Sequence, residues 1–235
     1  MNLLLFRPGA LDERGLLRIS GEQLTHLREV LGAATGDTIR VGELDGLMGD
    51  GVVEHIDSQE AILRCQLHSP PPEKLSLTIV LALPRPKMLR RILRAVAEFG
   101  VAELYLLNSY RVEKSYWQTP VLGDSTVERY LLQGLEQARD TVLPKVLQRD
   151  RFKPFVEDEL PGLLAGRRGL LAQPGDHPSC PRDLEQATVL AIGPEGGWIP
   201  YEVEKLQAAG FDAVSLGPRI LRVEDALVSL LGRLG

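Results

Sequence analysis

The spacing of apolar and polar positions changes near residue 70. Before it, apolar residues come in short, roughly alternating runs, Thr38–Val41, Gly51–Ile56 and Ala61–Leu67. Gly36-Asp37, Asp45-Gly46 and Asp50-Gly51 punctuate them. This predicts short strands joined by tight turns, and at this spacing a small β-barrel. One helix is predicted from Ser20 to Val30, with Ser20 as N-cap and Gln23 closing a capping box. Pro70-Pro71-Pro72-Glu73-Lys74 cannot continue a helix or a central strand. It reads as a linker over 70–74 between a domain at 1–69 and a second at 75–235; a proline-rich loop within one domain is the other reading.

After the prolines the runs lengthen. Leu77–Leu83 is continuously apolar, as in a strand buried on both faces. The spacing then predicts a helix over Lys87–Phe99, with Met88, Leu89, Ile92, Leu93 and Val96 on one face and Lys87, Arg90, Arg91 and Arg94 on the other. Further strands are expected at Glu103–Leu107, Gly169–Ala172, Ala187–Ile192 and Ala213–Leu216. Further helices are expected at Ser125–Arg139, Tyr201–Ala209 and Val223–Leu234. Strands alternating with helices predict an α/β fold with a parallel sheet, which takes its ligands at the carboxyl ends of the strands.

Composition narrows the choice of partner. The 235 residues are 44% hydrophobic and 25% charged, with a formal net charge of -5. On so acidic a chain, nucleic acid must be met by local patches. One such patch is Arg85, Lys87, Arg90, Arg91 and Arg94, joined by Arg111 and Lys114 and by Arg149, Arg151 and Lys153. It reads either as phosphate-contacting or as a solvated face. Tyr110, Tyr116 and Trp117 either stack a splayed base or pack in the core. Cys65 and Cys180 stand far apart, the four histidines are scattered, and no metal-ligand spacing occurs, so no metal is expected. Neither the short apolar start, broken by Arg7-Pro8, nor any other run is long enough for a membrane span; a cytoplasmic protein is expected.

Two loops hold the candidate chemistry. Gly193-Pro194-Glu195-Gly196-Gly197 follows a predicted strand directly, so backbone can approach a ligand closely there. Pro194 lacks an N–H and Glu195 is anionic, which argues against a phosphate cradle; a tight turn without ligand is the plainer alternative. Leu216-Gly217-Pro218-Arg219-Ile220-Leu221-Arg222 follows the next strand. Ile192, Leu216 and Leu221 are suited to wall an adenine ring. Arg219 and Arg222 stand either at the rim of such a pocket or in surface ion pairs with Glu224 or Asp225.

Leu190–Gly197 followed by Leu216–Arg222 resembles the C-terminal signature of the bacterial small-subunit ribosomal RNA uridine-N3 methyltransferases of the SPOUT class. Pro84–Met88, Ser109–Arg111, Glu136–Arg139, Leu24–Leu27 and Gly36-Asp37 agree with that family less strongly. The resemblance implies a SPOUT-type α/β knot around the parallel sheet, preceded by a PUA-like β-barrel that binds RNA. The implied activity is S-adenosylmethionine-dependent methylation of a uridine N3 in 16S ribosomal RNA, by a homodimer acting on ribosomal RNA or the small subunit, with neither membrane nor metal. The implied cofactor residues are Leu171, Gln173, Ile192, Gly193, Pro194, Glu195, Gly196, Gly197, Leu216, Gly217, Leu221 and Arg222. RNA would meet Arg85, Lys87, Arg90, Arg91, Arg94 and Arg111. Arg222 is the candidate for stabilising the charge that develops on uracil, and Glu224 for accepting its proton or orienting Arg222. The apolar face of the last helix, Ala226, Leu227, Leu230 and Leu231, suits a dimer contact. The chain departs from the family where Val223-Glu224-Asp225 replaces Thr-Glu-Thr, and where Glu29 and Gly32 replace arginines. These departures leave open a methyltransferase for another RNA, for instance at a ribose 2′-hydroxyl, and a non-catalytic RNA-binding assembly protein.

Overall fold

The computed structural model describes residues 2–235. The chain divides into two compact units, Met1–Glu73 with Leu132–Leu143, and Lys74–Leu131 with Pro144–Gly235.

The first unit is built on five strands, β1 (Leu4–Phe6), β2 (Leu16–Ile19), β3 (Thr38–Glu43), β4 (Met48–Ile56) and β5 (Ala61–Ser69). Their order is β1-β3-β4-β5-β2, with β1 parallel to β3 and the other pairs antiparallel. The result is a mixed, curled half-barrel. Its inner face gathers Leu4, Phe6, Leu17, Ile19, Val41, Val53 and Leu63, closed by Leu24 and Leu27. Alternation made β3, β4 and β5 legible; β1 and β2 are three and four residues long and escape it. The predicted first helix is instead α1 (Gly21–Thr25) running into a π-helical turn at His26–Val30. Ser20 makes no side-chain cap, and Gln23 donates from Nε2 to the carbonyl of Leu5 at 2.7 Å, so the capping box does not form. Tertiary pairing outcompetes the local cap.

The segment 132–143, which sequence reading allots to the second domain, belongs to this first unit. Thr141 donates its hydroxyl to the Gly46 carbonyl at 2.6 Å, and the Asp45 N–H donates to the Thr141 carbonyl at 2.9 Å. Glu136 lines a cavity of about 320 Å³ with Leu5, Leu17 and Leu132. Burial there pushes its carboxyl up from the ordinary 4.5 to about 7. The folded state therefore holds this proton more tightly than the unfolded state, and stability falls as pH rises from about 4.5 to about 7, then levels. Glu136→Gln removes the cost of ionising the site. Thermal melts are expected to find the variant roughly 2–6 °C more stable than the parent at about pH 8, with the gap closing by about pH 4.5. A constant gap across that range would contradict a buried, titrating carboxyl.

The second unit is a six-stranded, wholly parallel sheet of β6 (Leu75–Ala82), β7 (Val101–Leu107), β8 (Lys145–Arg149), β9 (Arg168–Ala172), β10 (Thr188–Ile192) and β11 (Phe211–Val214), in the order β11-β9-β10-β6-β7-β8. Leu77, Ile79, Val80 and Leu81 of β6 are fully buried, as a central strand covered on both faces requires. The helices include α2 (Pro86–Glu98), α3 (Asp124–Ala138), whose residues from Leu132 on belong to the first unit, the short α4 (Phe152–Pro154) and α5 (Leu160–Leu164), α6 (Pro200–Ala208) and α7 (Val223–Leu234). Leu89, Ile92, Leu93 and Val96 of α2 face the core, as the periodicity predicts.

One expectation is corrected here. Leu227, Leu230 and Leu231 of α7, read as a dimer face, are 1% exposed or less and belong to this chain's own core, where α7 packs with α2. A helical apolar stripe tells that a face is covered, not what covers it.

Candidate active site

Register decides where the loops emerge. Ile192 of β10 lies beside Leu81 of β6 and Ala172 of β9, Val214 of β11 lies beside Ala172, and Leu107 of β7 lies beside Ala82. Five strands therefore end level. The segments that follow them, at 83–85, 108–111, 173–177, 193–197 and 215–222, share one edge of the sheet.

The glycine loop is a tight turn held on two sides. The Gly197 N–H donates to the Pro194 carbonyl at 2.7 Å, and Gly197 has φ +72°, a left-handed conformation suited to glycine. A Cβ on Gly193 would meet the ring and backbone of Trp198 at 3.1–3.2 Å, so the buried indole lies directly against this residue. On one side Glu195 Oε1 accepts the Arg85 N–H at 3.0 Å, and its carboxylate raises the pKa of the Arg85 guanidinium second to the phenol of Tyr116. On the other, the Arg111 guanidinium donates to the Gly196 carbonyl. Glu195 thus ties two strand-end loops together.

A buried carboxylate stitches the same edge from below. Glu202, 2% exposed, accepts from the Ser109 hydroxyl at 3.1 Å, the Tyr110 N–H at 2.8 Å and the Ile199 N–H at 3.0 Å. Sequence reading missed it. Its signal was Pro200 at the first helical position followed by an acidic residue in the first turn, the pattern of a helix N-terminus.

The second loop is open. Ile220 is 85% exposed and Leu221 is 40% exposed, while Leu216 is half-buried. Ser215 is buried and accepts the Gly217 N–H at 3.1 Å, fixing the start of the loop. Of the proposed cofactor residues, Leu171 and Ile192 are buried at the strand ends. Gln173 continues the pairing of β9 through its N–H to Val214 at 3.0 Å. Its side-chain Oε1 is buried without a hydrogen-bond partner, as is Trp198 Nε1. Buried polar atoms are ordinarily paired, and these two are exceptions among the described residues.

The sequence of the whole second unit matches the RNA methyltransferase domain model over residues 71–235. Ribosomal RNA small subunit methyltransferase E of Synechocystis sp. is 32% identical over 219 residues, 87% of this chain and 67% of the relative. The chain belongs to the small-subunit ribosomal RNA methyltransferase E family. The Treponema pallidum member is 28% identical over 245 residues, covering 96% of this chain and 87% of its own. The fold matches that of the Neisseria gonorrhoeae enzyme, solved with S-adenosylmethionine bound, with a TM-score of 0.76 at 20% identity over 98% of this chain and 95% of that one.

In this methyltransferase the basic residues separate into groups. Lys87, Arg90 and Arg91 are exposed on the outer face of α2. Arg94 is half-buried with its guanidinium over the Tyr130 ring at 5.4 Å, and Arg149 pairs with Glu159 at 2.7 Å while lying over Tyr105. Both are packed into the fold rather than held out to solvent. Arg219 and Arg222 are exposed and, among the described residues, make no ion pair, so pairing with Glu224 or Asp225 does not occur. Glu224 is half-buried in the first turn of α7. Tyr116 engages Arg85.

Proposed function

We propose that the chain transfers a methyl group from S-adenosylmethionine to N3 of a uridine in small-subunit ribosomal RNA, as a homodimer. The observation that carries the cofactor assignment is the unpartnered Gln173 Oε1 beside two glycine-bearing loops at level strand ends. Leu171, Gln173, Ile192, Gly193, Pro194, Glu195, Gly196, Gly197, Leu216, Gly217, Leu221 and Arg222 would hold the cofactor: the buried Leu171 and Ile192 and the more open Leu216 and Leu221 as apolar walls for a ring, backbone groups and one amide oxygen for its polar edge, and Arg222 at the rim. Bound there, S-adenosylmethionine supplies a methyl carbon activated by its sulfonium.

The protein's own part is positioning and charge. Uracil N3 carries a proton in the neutral base and must lose it to become a nucleophile. The negative charge then spreads to the flanking carbonyl oxygens. Arg222, a cation without an ion-pair partner among the described residues, supplies the donor that stabilises it. Glu224, in the first turn of α7 and not paired with Arg222, accepts the proton. Arg85, Lys87, Arg90, Arg91 and Arg111 bring the phosphates, with Arg94 behind them. The exposed Ile220, Leu221 and Val228 supply the apolar contact between protomers.

In a strain lacking this chain, 3-methyluridine is expected to vanish from small-subunit ribosomal RNA and to return when the purified chain and S-adenosylmethionine are added to the isolated subunit. Persistence of 3-methyluridine, or loss of a ribose-methylated nucleoside instead, overturns the proposal.

A further inference from the structure

A second cavity, of about 550 Å³, opens beside the glycine loop, between the segment that follows β7 and the start of α6. Its walls are aromatic, from Tyr110, Trp117, Phe152 and Tyr201, and Lys114 and Lys153 stand at its margin. Tyr110 is 80% exposed and Tyr201 is 45% exposed, so two large rings meet solvent at one cavity. The cavity is firmly backed. Trp117 Nε1 donates to Asn108 Oδ1 at 2.9 Å, and Glu202 holds the backbone of Tyr110 and Ile199.

The wall is shared with the methyl-transfer loop. Phe152 packs on Trp198 with ring centroids 6.0 Å apart, and Trp198 lies against Gly193. Arg111, next to Tyr110, reaches Gly196. A ring seated in the cavity is thus next to the glycine loop, with Phe152 and the indole of Trp198 between it and Gly193.

We propose that this cavity takes an unstacked nucleobase of the RNA, a neighbour of the one that is methylated, with the adjoining phosphates on Lys114 and Lys153. The proposal rests on the RNA-methyltransferase reading and names a subsite for it. Three observations point to a nucleotide. The volume lies in the range of small-molecule sites and admits a base with its ribose. Exposed aromatic faces are what single-stranded nucleic acid stacks upon. The margin carries Lys114, which makes no ion pair among the described residues, and Lys153, whose Nζ lies 3.9 Å from Glu157 in an exposed pair that a phosphate can compete for.

The test uses the full chain and a labelled single-stranded oligouridylate of about 12 nucleotides. Tyr110→Ala and Tyr201→Ala are each expected to weaken its binding about 5- to 100-fold, while Tyr110→Phe stays within about twofold of the parent. Lys114→Gln is expected to reduce the salt slope of binding by about 1. S-adenosylmethionine affinity, titrated separately, is expected to be unchanged across the set. The proposal is overturned if the parent does not bind the oligonucleotide, if both alanine variants bind it like the parent, or if they lose the cofactor as strongly as the RNA. The oligonucleotide assay involves no turnover. Weakened variants of a chain that never methylates uridine would sink the proposed function alone; unchanged variants of an active one would sink this subsite alone.

Discussion

Replacing Arg222 by alanine is expected to lower the turnover of methyl transfer about 100- to 1000-fold, the usual loss when one preorganised donor to a developing anion is removed. The structural cost of this change is small. Arg222 is exposed and, among the described residues, unpaired, and it contributes to the start of α7 through its carbonyl, which accepts the Ala226 N–H at 2.8 Å and survives the substitution. Stability should stay within about 0.5 kcal/mol of the parent. Lost rate is therefore lost chemistry rather than lost fold. Steady-state kinetics on isolated small subunits, with cofactor affinity titrated in parallel, separates the two roles assigned to Arg222. A fall confined to kcat marks charge stabilisation, whereas weakened cofactor binding at intact kcat marks the pocket rim. Arg222→Lys should recover part of the rate, because an ammonium keeps the charge but not the planar fork. Near-parental turnover in Arg222→Ala would remove the proposed role.

The second large effect is on stability. Glu202→Ala strands the Ser109 hydroxyl and the Tyr110 and Ile199 N–H groups that one buried carboxylate now satisfies. Orphaned donors cost about 1–3 kcal/mol each, less where water reaches them. A loss of about 3 kcal/mol lowers the melting temperature of a chain this size by roughly 6–12 °C. Glu202→Gln should fall between, since one acceptor becomes a donor facing another donor. Activity should drop with stability, because the segment freed at Ser109 and Tyr110 also presents Arg111 to Gly196. A calorimetric melt of Glu202→Ala within about 1 °C of the parent would show that the carboxylate does not hold this edge together.

How far such residues can be found without coordinates depends on what periodicity reports. β6 was legible because a strand buried on both faces is apolar along most of its length, here all but Ser76 and Thr78, and α2 because its apolar residues recur at helical spacing. β8 was not: it is one of the two edge strands and polar enough along Lys145–Arg149 to read as loop. Arg94 and Arg149 read as surface cations, yet each finds an aromatic ring distant in sequence. The position of Glu202 in the first turn of a helix was legible, but its burial was not, because two of its three partners lie more than 90 residues away.

The same division holds for the two loops at the centre of the site. Sequence alone determined that Gly193–Gly197 and Leu216–Arg222 each follow a strand and which family they resemble, and it set Pro194 and Glu195 against a phosphate cradle in the first. Only the tertiary structure decided that β9 lies between β10 and β11, that their ends are level, that Arg85 and Arg111 clamp the glycine loop, and that the apolar face of α7 is spent inside its own chain. The reason is physical. Local pattern records which side of each element avoids water, whereas strand order and the partner that covers each face are set by contacts between residues far apart in the chain.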